Sequence, residues 1–172
     1  MDNFLNSDFY SPSKGNLKLN QVIEEIIGYV QQKPSCFYDI IVGCDSSSGQ
    51  DPCFPVVVVI LRKREGGIFF LKKVRFTSQE AKKFVNWKMR ILEEVMLSCK
   101  FALQLREDLD KRIADLETTI DYEFRYIHAD VGENGDTKEM IKEVTGLIRG
   151  NGFEPKIKPE SFVASSVADH FC

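Results

Sequence analysis

Three β-rich runs follow one another closely, Tyr38 to Cys44, Phe54 to Arg62 and Ile68 to Phe76, with turn residues at 46–52 and 64–67 between them. Links this short favour an antiparallel meander over crossover connections. From Ser78 to Asp115 there is then neither Gly nor Pro, and Phe84, Trp87, Ile91, Val95, Cys99, Ala102 and Leu105 recur at helical intervals. That spacing predicts one long helix with a buried stripe. The next run, Asp121 to Ala129, reads as a strand in which Tyr122, Phe124, Tyr126 and His128 alternate with Glu123, Arg125 and Ile127.

Residues 1–18, rich in Asn, Ser, Pro and Gly, read as a strap or loop. Val22, Ile23, Ile26, Ile27 and Val30 then define a helix with one apolar face, with Asn20 as its expected cap and Pro34 beyond its end. Thr137 to Ile148 is helical and stops at Gly150 and Gly152, Phe153 to Ile157 is a short strand, and Phe162 begins a last helix. The order after the first helix is β-β-β-α-β-α-β-α. It predicts an α/β domain with a five-stranded mixed sheet, flanking helices and an N-terminal helix. The strap and that helix occupy 1–35 and the core 36–172.

A chain of 172 residues with 43% hydrophobic content suits one domain with a real core. The longest apolar run, Pro55 to Leu61, is far below the ~20 residues needed to cross a bilayer, and the N-terminal residues lack a basic segment followed by an apolar one. A soluble, cytoplasmic protein with no membrane partner is expected. Cys36, Cys44, Cys53, Cys99 and Cys172 are odd in number and lack CxxC spacing, which predicts reduced thiols rather than disulfides or structural zinc. With 23 basic and 26 acidic residues the net charge is -3, so the chain does not coat nucleic acid electrostatically. A nucleic-acid substrate would need a local basic patch, and Arg62, Lys63, Arg64, Lys72, Lys73, Arg75, Lys82, Lys83, Lys88 and Arg90 crowd one stretch. Such a run is also what a solvated face looks like.

Acidic residues stand where elements end. Asp45 closes the first β-rich run in VGCDSSS, on the face of Ile41 and Gly43, and Gly43 leaves room for another element or a ligand beside it. The three serines after it would bind phosphate or make the turn. Asp130 closes a later strand before a Gly-rich loop, which lacks the GxxxxGK[ST] pattern and in which Asp136 or Thr137 would cap a helix. On the long helix Glu94 lies beside Ile91, Val95 and Ser98 and is the inward carboxylate, while Glu93 points toward Arg90 and Leu97. In the last helix Phe162, Ser165, Ser166 and Asp169 share a face lined by small residues. Carboxylates that converge repel one another unless a cation sits among them, so Asp45, Glu94, Asp130 and Asp169 predict a divalent metal site. His128 and His170 compete as ligands or bases, against the plainer reading of a satisfied histidine and a surface one.

GCDSSS, RILEEVMLS, HADVGENGDT and KIKPESFVASSVADH, together with the element order, resemble the YkuK family of ribonuclease H-like proteins, from about Phe4 to Asp169. The resemblance implies a ribonuclease H fold in which Asp45 bridges two Mg²⁺ or Mn²⁺ ions, Glu94 and Asp130 hold one each, and Asp169 is an outer ligand. The activity it implies is hydrolysis of phosphodiesters in RNA, DNA or a hybrid. Lys156 and Lys158, just upstream of the last helix, would either neutralise charge on the phosphate or stand as exposed ends of an edge strand. Two other readings stay open: an actin-like nucleotide-binding ATPase, suggested by Asp45 with its serines and by Asp130-Val131-Gly132, and a non-catalytic scaffold. The oligomeric state is not specified by these motifs.

Overall fold

The computed structural model describes residues 8–49 and 51–171. Seven strands form one sheet, not five: β1 (Phe9–Ser11), β2 (Gly15–Leu17), β3 (Phe37–Cys44), β4 (Phe54–Arg62), β5 (Gly66–Val74), β6 (Asp121–Ala129) and β7 (Glu154–Lys156), in the spatial order β2-β1-β5-β4-β3-β6-β7. The two additional strands come from the part of the expected strap that lies within the described residues. They form a tight hairpin that joins the sheet through Tyr10 opposite Leu71 of β5. The expected meander is β3-β4-β5, and β4 is buried along almost its whole length because it has neighbours on both edges and layers on both faces. Parallel pairing enters where β6 joins β3 and β7 joins β6.

Helix α1 (Leu19–Gln31) starts one residue before Asn20, which therefore lies inside it and does not cap it. The Gln21 side chain accepts the Lys18 N–H at 2.8 Å instead. The long helix is interrupted. A four-residue turn, α2 (Ser78–Ala81), is capped by Thr77 and runs into a 3₁₀ turn, and the chain turns at Asn86 before α3 (Trp87–Ala114). The Asn86 side chain accepts the Lys88 N–H at 3.0 Å, which makes it the start of α3 rather than a mid-helix residue. After β6, a 3₁₀ turn leads into α4 (Ile141–Gly150).

Tyr38, Ile40, Val42 and Cys44 of β3 face the helices and pack with Val22 and Ile26 of α1, Val95, Ala102 and Leu105 of α3, and Val144 and Ile148 of α4. The opposite face carries a second apolar cluster of Ile41, Val57, Val59 and Leu71, closed by Val163 and Ala168. The segment that supplies those two is not an α-helix but a wider π-helical turn over Val163–Ala168, followed by a 3₁₀ turn at Asp169–Phe171. Gly43 lets it approach. A Cβ there would sit 3.0 Å from the Ala164 N and 3.1 Å from Val163 Cγ1.

The straight alternation expected for β6 is broken by a bulge, because Asp39 pairs with Glu123 while Ile41 pairs with Tyr126. One extra residue resets the phase, so Phe124 and Ile127 both face the helices and His128 faces the Val163 side. Among the described residues no helix is long and apolar enough to cross a membrane. Cys36, Cys44, Cys53 and Cys99 form no disulfide among the described residues; Cys172 lies outside them.

Candidate active site

The parallel pairing of β3 with β6 sets the centre of the site. Its last register pair is Cys44 with Ala129, so the two residues that leave the sheet next, Asp45 and Asp130, emerge side by side at one edge. Helix α3 crosses behind that edge and sends the buried Glu94 toward it. Ser46, immediately after Asp45, donates both its N–H and its hydroxyl to Glu94 Oε1. The C-terminal turn over Gly43 carries Asp169, which is exposed at the rim.

The charges of these groups act on one another. Burial first, and then the Asp130 and Asp169 charges, raise the Asp45 carboxyl to about 7, against Lys158 and the Ser46 N–H. Burial is also the main reason that Glu94 rises to about 8; the Ser46 hydroxyl opposes it, and the Asp45 and Asp130 charges add to it. All four expected carboxylates therefore belong to one electrostatic cluster. Asp130 meets the only lysine whose ion pair reaches this cluster among the described residues: Lys158 Nζ lies 2.8 Å from Oδ2. Asp130 Oδ1 is buried and has no hydrogen-bond partner among the described residues.

Other expected participants lie elsewhere. Glu93 is turned to Lys83, 3.1 Å away. His128 is a satisfied structural residue, since its Nδ1 accepts the Val163 N–H at 3.2 Å and its ring meets Phe162 edge-on. Burial, assisted by Lys156, lowers it to about 4, so it is neutral near pH 7. His170 is exposed beside Phe171. Lys156 pairs with Glu160 at 2.7 Å and extends over Tyr126. Thr137 accepts the Gly132 N–H at 3.1 Å and ties the Gly-rich loop to the turn that follows it. Within the basic stretch, Arg62 is buried against Tyr29 and Tyr38, Lys72 is buried against Phe9, and Lys88 pairs with Glu139. The contacts of Ser46 with Glu94 and of Lys158 with Asp130 leave no local sign in the sequence, because the partners lie 48 and 28 positions apart.

Among the described residues no group of three or more His, Cys, Asp or Glu side chains is arranged to hold a metal ion. Glu94 Oε1 is engaged by Ser46 and Asp130 Oδ2 by Lys158. The donor set nevertheless suits magnesium or manganese. It consists of hard carboxylate oxygens, it includes an unpartnered buried oxygen, and burial and mutual repulsion raise the protonation equilibria of Asp45 and Glu94.

The sequence matches the family described as Ribonuclease H-like over residues 21–172. It is 28% identical over 178 residues to the uncharacterized protein YkuK of Bacillus subtilis (strain 168), with 99% of this chain and 98% of that protein covered. No solved structure gives a significant match. With a meander of three antiparallel strands, a parallel fourth and helices packed on the sheet, the chain belongs to a YkuK-like family of ribonuclease H-like proteins.

Proposed function

We propose that this protein hydrolyses phosphodiester bonds in nucleic acid with the help of divalent ions held by Asp45, Glu94, Asp130 and Asp169. The observation that carries this reading is the electrostatic cluster at the adjoining ends of β3 and β6, where burial and mutual repulsion raise Asp45 and Glu94 into the neutral range. Carboxylates that burial and mutual repulsion hold toward their neutral forms are suited to a cation, whose charge favours ionisation. When bound, Mg²⁺ or Mn²⁺ supplies positive charge that favours attack on phosphorus. The chain's own residues then have distinct tasks. Ser46 holds the Glu94 carboxylate in place, Gly43 lets Asp169 reach the rim, and Lys158 presents a positive charge beside Asp130 where a phosphate would lie. His128, neutral and bonded to Val163, takes no part in proton transfer.

The test is a panel of labelled RNA, DNA and hybrid substrates with Mg²⁺ or Mn²⁺, alongside Asp45→Asn. Cleavage by the native chain and none by the variant supports the reading. No cleavage of any substrate, together with a melting temperature that ignores both ions, removes it. Stabilisation by ATP in the same melting series would favour a nucleotide-binding ATPase, and indifference to ions and ATP alike would favour a scaffold.

A further inference from the structure

Lys158 places a cation of the protein's own among the carboxylates. Its ammonium lies 2.8 Å from Asp130 Oδ2, and the same charge opposes the upward push on Asp45. The base of this side chain is held by the backbone, while its end is open to solvent. The Lys158 N–H donates to the Val131 carbonyl at 2.8 Å, and its stem crosses Gly132, where a Cβ would come within 3.0 Å of Lys158 Cβ. The side chain is nonetheless 47% exposed. It also lines a surface cavity of about 640 Å³, shared with Gly132, Asn134, Lys156 and Pro159, so the ammonium has somewhere to go when it leaves Asp130. Asp130 is thus half occupied: one oxygen is held by lysine, and the other is buried without a partner among the described residues.

Resting on the metal-site reading above, we propose that Lys158 competes with a divalent ion for Asp130, and that a nucleic-acid phosphate entering the neighbouring cavity draws the ammonium away. Loading of the ion at Asp130 then depends on bound nucleic acid. The chemistry is an exchange of ion pairs: Lys158 trades a carboxylate oxygen for a phosphate oxygen, and the released carboxylate accepts the metal. Two like charges cannot share Asp130 cheaply, so ammonium and metal exclude each other until an anion arrives to take one of them. Linkage requires the effect to be mutual, with the ion tightening nucleic-acid binding by the same factor.

The experiment measures Mn²⁺ binding by calorimetry, with and without a short phosphorothioate oligonucleotide of DNA or of RNA, in the native chain, Lys158→Met and Lys158→Arg. In the native chain the oligonucleotide should tighten Mn²⁺ about tenfold. Lys158→Met should bind Mn²⁺ about tenfold more tightly without any oligonucleotide, and adding one should change little. Lys158→Arg, which keeps the charge, should remain near the native value. Equal Mn²⁺ affinity in the native chain and Lys158→Met, or a coupling that survives in Lys158→Met, overturns the competition while leaving the metal site standing. Absence of Mn²⁺ binding in all three chains overturns the metal-site reading and the competition with it.

Discussion

Ser46 donates two hydrogen bonds to the same oxygen of Glu94, from its N–H at 3.0 Å and from its hydroxyl at 2.6 Å. The residue that follows Asp45 is thereby fastened to the first third of α3, so the strand-end carboxylate and the helix carboxylate cannot shift independently. Ser46→Ala removes the stronger bond. Above about pH 8, where Glu94 is ionised, the loss should cost about 1.5–3 kcal/mol, and less at pH 6, where the acid is protonated. Urea unfolding at the two pH values checks this, and an equal loss at both would show that the hydroxyl does not serve the ionised acid.

Without metal, stability should fall as the solution becomes alkaline. Asp45 titrates near 7 and Glu94 near 8 in the folded chain, against ordinary values of 3.8 and 4.5. Between these limits the folded state holds protons that the unfolded state has released. The stabilisation is therefore complete below about pH 4 and is lost as pH rises to about 8. His128 has the opposite sign, because its value of about 4 lies below the ordinary 6.5, and it weakens the fold as pH falls through that interval. Unfolding in EDTA across pH 5 to 9 should show the alkaline decline. Asp45→Asn should flatten it and melt at the native temperature or above.

Glu93 and Glu94 should separate cleanly. Glu93→Gln loses only a partly exposed pairing with Lys83, worth less than about 1 kcal/mol, and should keep its thermal response to Mn²⁺. Glu94→Gln should fold at neutral pH, where the native acid already favours its neutral form, and lose that response. A melting series with both variants decides the assignment.

Gly43→Ala should loosen the C-terminal turn. The new methyl would stand 3.0 Å from the Ala164 N, 3.1 Å from Val163 Cγ1 and 3.3 Å from the His128 carbonyl oxygen, and two of these neighbours are backbone atoms that yield little. A loss of about 1–3 kcal/mol is expected. Faster hydrogen exchange confined to Val163–Ala168 would locate the damage; unchanged exchange there would refute the close packing.

The parts of the fold that the sequence disclosed are those governed by local patterns. Strand ends at Cys44 and Ala129 were legible because turn residues follow both, and the inward position of Glu94 because it borders an apolar stripe. The hairpin of β1 and β2 escaped notice because three-residue strands carry too little alternation to register. The break at Asn86 was hidden by good spacing on both sides of it, with only an amide side chain to mark the new helix. The bulge in β6 leaves no sign in the sequence, because its extra residue is decided by the register with β3. The fit of Gly43 under another element was anticipated, but the π-helical form of that element was not. Its wider turns are set by packing on Ile41 and Val57 rather than by local preference.

The central strand has two kinds of neighbour, and the difference reaches into folding kinetics. β3 meets β4 across a short loop, whereas its first pair with β6 joins Phe37 to Asp121, positions 84 apart. Loop-closure entropy favours the meander as the earlier event and the parallel pairing as the later one. Asp45 and Asp130 come together only in that later step. An ion shared between them would then find no binding place in the transition state if the meander forms there alone. Its effect would fall on the escape from the native state, slowing unfolding while leaving the refolding rate almost unchanged.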